Sequence, residues 1–368
     1  MIVIHAAPIS WGKIGGLQAS IPALVSAQNR LDAVEAAMLV TISNTAGPPV
    51  EADFPIFDQQ IAVDHRGRLN LPAPFDRPDL VIFHSTYIPA HAKIASLLSK
   101  AGIPYIVCPR GGMTRNSQAN KRLKKRIGNL LFFNYVVSHA VGLHYLTEGE
   151  SKASVPWKLP QFVVGNGVEM PDADKLAAPG RSAGRQLLFV GRLHVLHKGL
   201  DVLLEACAEV RDLLRSASAR LDLHGPDYFG STGALIRQVK SLKLQDVVEV
   251  HGPVVGEAKT ELLRRADVFL HPSRSEGHPS ALLEAIAHGL PCLLTPNTNM
   301  AEQVTAAGAG WQVEPSVESI AEGLQKILNC DRKVLQAAGA NARQLALEQF
   351  DWTRVADQCV RHYQKFAA

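Results

Sequence analysis

Gln186-Leu187-Leu188-Phe189-Val190-Gly191-Arg192, followed by Lys198-Gly199 and a helical pattern over Leu200–Leu214, decides the fold. A short apolar run that stops at a glycine and passes into a helix is one βα unit. The same unit recurs downstream. Strand patterns over Arg220–His224, Val247–His251, Val268–His271 and Pro291–Leu294 alternate with helical patterns over Ala234–Leu242, Glu257–Arg265 and Ser280–His288. Gly308–Val313 adds a further strand, and helices run from there to the C-terminus, ending in an amphipathic one at Trp352–Phe366. Upstream, Ile2–Ala7, Ala37–Ile42, Leu80–His84, Pro104–Cys108, Val141–Leu146 and Phe162–Val164 alternate with helical patterns over Leu17–Asn29, Ala90–Lys100 and Ser117–Phe133. Repeated βα units predict parallel sheets covered by helices on both faces.

Between the halves, Asn166–Arg185 carries three glycines, two prolines and no strand pattern, as a linker does. The expected organisation is a first Rossmann-like domain over 1–165, a linker over 166–185 and a second Rossmann-like domain over 186–351. Ligands of such folds bind at the C-terminal ends of the strands.

The wider composition agrees. The 368 residues are 46% apolar and 20% charged, which excludes disordered and small disulfide-framework classes. A formal charge of +4 is too small for a protein held to nucleic acid by bulk charge. Cys108, Cys207, Cys292, Cys330 and Cys359 are scattered and form no C-x-x-C pair, so a reducing cytoplasmic setting is expected. No signal peptide is evident before the first strand. The uncharged segment Leu130–Leu146 contains Asn134, Ser138, His139 and His144, which suits a helix end and a buried strand better than a membrane span.

Two constellations carry chemistry. Arg192 and Lys198 flank a strand end and a helix start, where side-chain cations, free N–H groups and the helix dipole favour an anion such as a diphosphate. Glu276 lies in the loop before a helix that begins near Pro279, and Glu284 lies inside that helix, within the apolar run Leu282–Ala287. Paired carboxylates accept hydrogen bonds from sugar and ribose hydroxyls. Read alone, the cations fit solvated surface residues equally well. The carboxylates have the same alternative, an acidic residue near a helix start and one on an exposed face.

Taken in order, these motifs resemble glycosyltransferase family 4, of the GT-B fold, whose second domain carries G-R-x-x-x-x-x-K-G and then E-x7-E within E-G-x-x-x-x-L-L-E-A. The resemblance extends to Gly165-Asn166-Gly167-Val168-Glu169, to Gly15-Gly16 after the first strand and to the terminal Phe350-Asp351-Trp352. It implies two Rossmann-like domains facing a central cleft, with a C-terminal helix, 352–368, crossing back to the first. It implies that Arg192 and Lys198 hold the diphosphate of a nucleotide sugar, that Glu276 contacts the donor sugar and that Glu284 holds the ribose. Backbone N–H groups around Gly277 and His278 would face sugar or phosphate. Gly15 and Gly16 would allow close approach of a phosphate. His84 matches a family histidine and is expected to be catalytic or to touch the acceptor. Arg110 stands where the family often has histidine and is expected on the acceptor side. No cofactor or metal is implied, and Asp172-Ala173-Asp174 reads as a solvated linker rather than a metal-binding D-x-D.

No acidic residue occurs between Asp79 and Glu148. Within that window Lys121, Arg122, Lys124, Lys125 and Arg126 interleave with Leu123, Ile127, Leu130 and Leu131, a pattern that suits an anionic membrane surface. Packing of the apolar side on the sheet is the alternative. The function expected is transfer of a sugar from a nucleoside-diphosphate sugar to an acceptor hydroxyl, with retention, in bacterial surface polysaccharide or lipid-linked glycan assembly. The partners expected are a nucleotide sugar, a glycan or lipid-linked acceptor and the inner face of the membrane, but no nucleic acid. A GT-B epimerase or phosphorylase, a glycosidase using Glu276 and Glu284, and a non-catalytic nucleotide-sugar-binding protein are the rival readings.

Overall fold

The computed structural model describes residues 1–11, 15–42, 52–58, 60–119, 122–177 and 184–367. The chain divides into two compact units, Met1–Gly167 with Trp352–Ala368, and Val168–Asp351.

The first unit is built on seven strands: β1 (Ile2–Ala7), β2 (Ala36–Thr41), β3 (Ile56–Phe57), β4 (Leu80–His84), β5 (Tyr105–Cys108), β6 (Gly142–Tyr145) and β7 (Gln161–Val163). Their order in the sheet is β3-β2-β1-β4-β5-β6-β7, all parallel. Nearly every residue of β1, β2, β4, β5 and β6 is buried, which is why these strands read as continuous apolar runs rather than alternating ones. The terminal helix Trp352–Tyr363 returns to this unit, with Trp352, Val355, Ala356, Cys359, Val360 and Tyr363 in its core. Gly167 makes room for it: a Cβ there would meet the Trp352 ring at 2.5 Å.

The second unit carries β8 (Gln186–Val190), β9 (Arg220–His224), β10 (Val248–His251), β11 (Val268–His271), β12 (Cys292–Leu294) and β13 (Gly310–Gln312). They pair in the order β10-β9-β8-β11-β12-β13, again all parallel. Leu187 and Phe189 face one core layer, Leu188 and Val190 the other. The sheet is thus covered on both faces.

Three local expectations need correction. The helix expected over Leu200–Leu214 is two, Leu200–Glu209 and Arg211–Ser216, broken at Val210. The segment expected as a helix over Ser117–Phe133 is helical on both sides of residues 120–121, over Arg115–Ala119 and from Arg122, but it is not uniformly α-helical: the run from Arg122 passes through a π-helical turn at Asn129–Phe133 into Asn134–Ser138. The π turn gives a five-residue step between buried Gly128 and buried Phe133, which an α-helix cannot provide. Missed altogether were β3 and the short helix Glu148–Ala153. Among the described residues, no helix is long and apolar enough to cross a membrane.

Candidate donor and acceptor sites

The end of β8 forms one wall of the candidate site in the second unit. Gly191 donates its N–H to the His224 carbonyl (2.9 Å), and a Cβ on Gly225 would stand 1.8 Å from the Gly191 carbonyl oxygen. Glycine at 225 is therefore what lets the two strand ends close on each other. After the turn, Val195–Lys198 forms one short helix that ends on Gly199, at φ 66°, and Leu200–Glu209 starts there. Gly199 is required twice over, because a Cβ would also meet the Pro272 carbonyl oxygen at 2.1 Å.

Lys198 leaves this turn and ion-pairs with Glu276, so the structure brings the two sequence constellations together. The same Glu276 oxygen accepts hydrogen bonds from Ser273 Oγ (2.8 Å) and His271 Nε2 (3.0 Å). Burial alone would raise the Glu276 carboxyl. The His271 hydrogen bond and the Lys198 charge outweigh it and hold the group far below the usual carboxylate range. His271 is lowered by its own burial, against the pull of Glu276. It is therefore neutral with its proton on Nε2, and buried Nδ1 has no partner.

The loop carrying Glu276 is clamped from both sides. Glu276 N–H donates to the Asn297 carbonyl (3.0 Å), and Asn299 Nδ2 donates to the Glu276 carbonyl (2.6 Å). Arg274 forks onto Asp201 at 2.6 and 2.9 Å and donates to the Leu196 carbonyl, locking this loop to the Lys198–Gly199 turn. Next to Gly277 is open space, whereas His278 is buried and packs on Phe350 at 5.7 Å. Pro279 is the N-cap of the helix Ser280–Ala287. Glu284, half-buried on that helix, ion-pairs with Lys259 of the helix Gly256–Arg265. Arg192 is exposed, and its guanidinium lies over the Tyr228 ring at 5.5 Å.

His271, Ser273, Arg274, Asn299 and Lys259 were not among the candidate site residues of the sequence. The polar turn 271–275 marked the place, but nothing in it showed that three donors converge on one carboxylate oxygen. Among the described residues, the grouping whose donor atoms could hold a metal ion is Asp222, His224 and His251, with atoms within 4.8 Å of one another. Their contacts are already accounted for by a His251–Asp222 hydrogen bond (3.3 Å) and stacking of the two rings at 4.2 Å. Asp172 and Asp174 stand at a 3-10 turn, with Asp172 solvated and paired to Lys175.

In the first unit, Gly15 is the N-cap of the helix Gly16–Asn29 and no side chain caps that helix start. His84 is fully buried, one ring nitrogen pairs with His5 (2.8 Å) and the other accepts from Arg110 Nε (3.2 Å). Both ring nitrogens are thus engaged by neighbouring side chains in this structure. Arg110 sits beyond β5 with φ 50°, half-buried, and also donates to Ser20 Oγ (3.0 Å) and Asn166 Oδ1 (3.2 Å). Buried Glu150 accepts the N–H groups of Gly111 and of Leu146 (2.9 Å), tying together the ends of β5 and β6.

Of the basic segment, Lys121 and the Arg122 side chain lie outside the described residues. Lys124 and Arg126 are exposed; Lys125 bonds to Ser117 and lies over the Tyr87 ring at 5.3 Å. Leu123, Ile127, Leu130 and Leu131 are 74%, 52%, 82% and 69% exposed, so the alternative that they pack on the sheet is overturned.

Residues 175–345 match the family described as Glycosyl transferases group 1. The putative colanic acid biosynthesis glycosyltransferase WcaL of Salmonella typhimurium is 30% identical over 185 residues, 47% of this chain and 43% of the relative. The GDP-mannose:cellobiosyl-diphosphopolyprenol alpha-mannosyltransferase of Xanthomonas campestris is 27% identical over 269 residues, 71% of this chain and 68% of the relative. The chain thus spans less than half the length of the first of these relatives. Among solved structures, Anabaena Alr3699/HepE in complex with UDP and glucose matches with a TM-score of 0.71 at 18% identity, covering 99% of this chain and 100% of that one. WaaG, a glycosyltransferase involved in lipopolysaccharide biosynthesis, matches at 0.67 and 19%, covering 98% and 99%. The fold is the two-domain Rossmann-like architecture of GT-B glycosyltransferases.

Proposed function

We propose that the chain is a retaining glycosyltransferase of the family 4 type, which moves a hexose from a nucleoside-diphosphate sugar to the hydroxyl of a glycan or lipid-linked acceptor. The observation that carries this reading is the convergence of Lys198, His271 and Ser273 on Glu276, within the segment that matches group 1 glycosyl transferases. Lys198 has two further N–H groups beyond the one Glu276 takes, so it can bridge the carboxylate and a phosphate oxygen. Exposed Arg192, at a glycine turn, is a second cation for the diphosphate. Glu276 stays ionised and rigid at any physiological pH and accepts sugar hydroxyls, while Glu284 accepts the ribose. Rate enhancement then comes from positioning and from neutralising the departing diphosphate. With these cations supplied by side chains, transfer needs no divalent metal.

A lipid-linked acceptor is supported by the Xanthomonas campestris relative, a GDP-mannose:cellobiosyl-diphosphopolyprenol alpha-mannosyltransferase by name. The exposed apolar stripe flanked by Lys124 and Arg126 supports peripheral attachment to an anionic membrane at the same surface. The test is acceptor-dependent release of nucleoside diphosphate, with the product anomer read by NMR and EDTA present throughout. Release without acceptor, an inverted product or a strict metal requirement each counts against part of the reading.

A further inference from the structure

Four side chains of the first unit form a directional chain. Gln28 Oε1 meets His5 Nε2 at 2.8 Å, His5 Nδ1 meets His84 Nε2 at 2.8 Å, and His84 Nδ1 meets Arg110 Nε at 3.2 Å. Arginine has no acceptor, so its N–H must donate and His84 Nδ1 must accept. Neutral His84 then carries its proton on Nε2 and donates to His5 Nδ1. Neutral His5 carries its proton on Nε2 and donates to Gln28 Oε1. Each tautomer, and the orientation of the Gln28 amide, follows from the arginine at the end. Turning the amide over would set two donors face to face at Arg110.

This arrangement leaves Gln28 Nε2 buried without a partner. Such a group costs free energy, and natural proteins accept such costs mainly at functional sites. Arg110 itself adopts a left-handed backbone conformation, a further strain. Its side chain donates to His84, Ser20 and Asn166 and also meets the buried Cys108 thiol, all neutral groups. Among the described residues no carboxylate ion-pairs with it. Nη2 is engaged by none of His84, Ser20 and Asn166. The charge is fixed in direction and makes no direct ion pair, buried Glu150 feeling it only at longer range, and it stands at the C-terminal end of a parallel sheet, where ligands of such folds bind.

We infer that Arg110 is an anion-recognition residue positioned by the Gln28–His5–His84 chain, and that its ligand is a phosphate or diphosphate ester. A planar guanidinium held by Nε and Nη1 presents its remaining edge to phosphate oxygens in one orientation. Two sources share that chemistry, the diphosphate of the donor and a phosphate on the acceptor. Only the choice between them rests on the transferase reading above.

The experiment is calorimetric titration of inorganic pyrophosphate into the full chain carrying Arg192→Ala, Lys198→Met and Glu276→Gln, which removes the two candidate diphosphate cations of the second unit without leaving Glu276 buried and unpaired. Binding persists in that background and weakens about tenfold on adding Arg110→Ala, the scale of one charged hydrogen bond. Arg110→Lys, which keeps the charge without the fork, gives an intermediate loss. Gln28→Met weakens binding when Arg110 is present and has no effect when it is Ala. That non-additivity separates positioning from a general loss of structure. Unchanged pyrophosphate affinity on Arg110→Ala, or additive effects of the two changes, overturns the inference. In the otherwise unmodified chain, a raised KM for the nucleotide sugar on Arg110→Ala assigns the donor, and a raised KM for a phosphorylated acceptor assigns the acceptor. Absence of turnover altogether counts against the transferase reading and leaves the pyrophosphate result standing.

Discussion

In the first unit Arg110 is held by neutral acceptors, whereas in the second Lys198 is held by a carboxylate. The neutral chain keeps the arginine's full charge but depends on histidines that must remain unprotonated. The ion pair tolerates acid, because Glu276 titrates far below the usual range, but it shares the lysine's charge with Glu276 before any ligand arrives. The two units are thus expected to respond differently to charge removal and to pH.

The largest effect falls in the second unit. Arg192→Ala is expected to lower transfer by about 10²–10³-fold, the usual consequence of removing one donor to developing charge. Lys198→Ala should do the same and also destabilise by roughly 3–5 kcal/mol, because Glu276 is left buried and unpaired. Pairing Lys198→Met with Glu276→Gln should restore most of the stability in urea denaturation without restoring transfer. Recovery of activity in that pair would break the assignment.

Acid should separate the units next. Burial lowers His5 to about 4 and His91 and His144 to about 3, and it holds His84 well below its ordinary value. These groups stay neutral in the folded protein and bind protons when unfolded. The stability they contribute is complete above the ordinary histidine value of about 6.5 and is lost progressively as pH falls toward 4. Buried His271 and His288 act in the same direction in the second unit, but Glu276 and Glu284 partly oppose their shifts. Hydrogen exchange at pH 7.5 and pH 5 should therefore show the first unit losing protection before the second. Simultaneous loss would contradict the contrast.

Glu284→Ala should weaken nucleoside-diphosphate and donor binding together, by about tenfold on the scale of a charged hydrogen bond. Lys259→Met is the sharper companion, since it frees Glu284 and tests whether the ion pair competes with ribose. Smallest is the basic patch. Each cation near an anionic surface contributes about 1 kcal/mol, screened over about 8 Å at physiological salt. Lys124→Gln, Lys125→Gln and Arg126→Gln together should abolish salt-sensitive co-sedimentation with anionic liposomes and spare transfer to a soluble acceptor analogue. A wild-type chain that ignores such liposomes at low salt would make the exposed stripe an ordinary surface.

The same contrast explains what the sequence could reveal. The parallel strands were legible because, buried on both faces, they stand out as apolar runs. The second unit's site was legible because Gly191-Arg192, Lys198-Gly199, Glu276 and Glu284 are short-range motifs at strand ends. Its supporting residues were less so: His271 and Ser273 lie within five residues of Glu276, but Lys259 approaches Glu284 only through helix packing. In the first unit the decisive pairs are His5–His84, 79 residues apart, and Ser20–Arg110, 90 apart, and no local pattern signals them. That distance is why the sequence showed His84 at a strand end but not its contacts with His5 and Arg110. The π turn at Asn129–Phe133 was hidden for a different reason, since one extra residue within a continuous helical run carries no composition signal of its own.

The central claim, that the second unit holds the nucleoside diphosphate of a sugar donor through Arg192, Lys198 and Glu284, is tested most directly by calorimetry. UDP, GDP and ADP are titrated in turn into the unmodified chain and into Arg192→Ala. The account predicts that at least one of them binds with EDTA present, and that Arg192→Ala weakens that binding by about tenfold or more, the loss of one charge-assisted contact. Absence of binding by all three, or an affinity indifferent to Arg192, would contradict it.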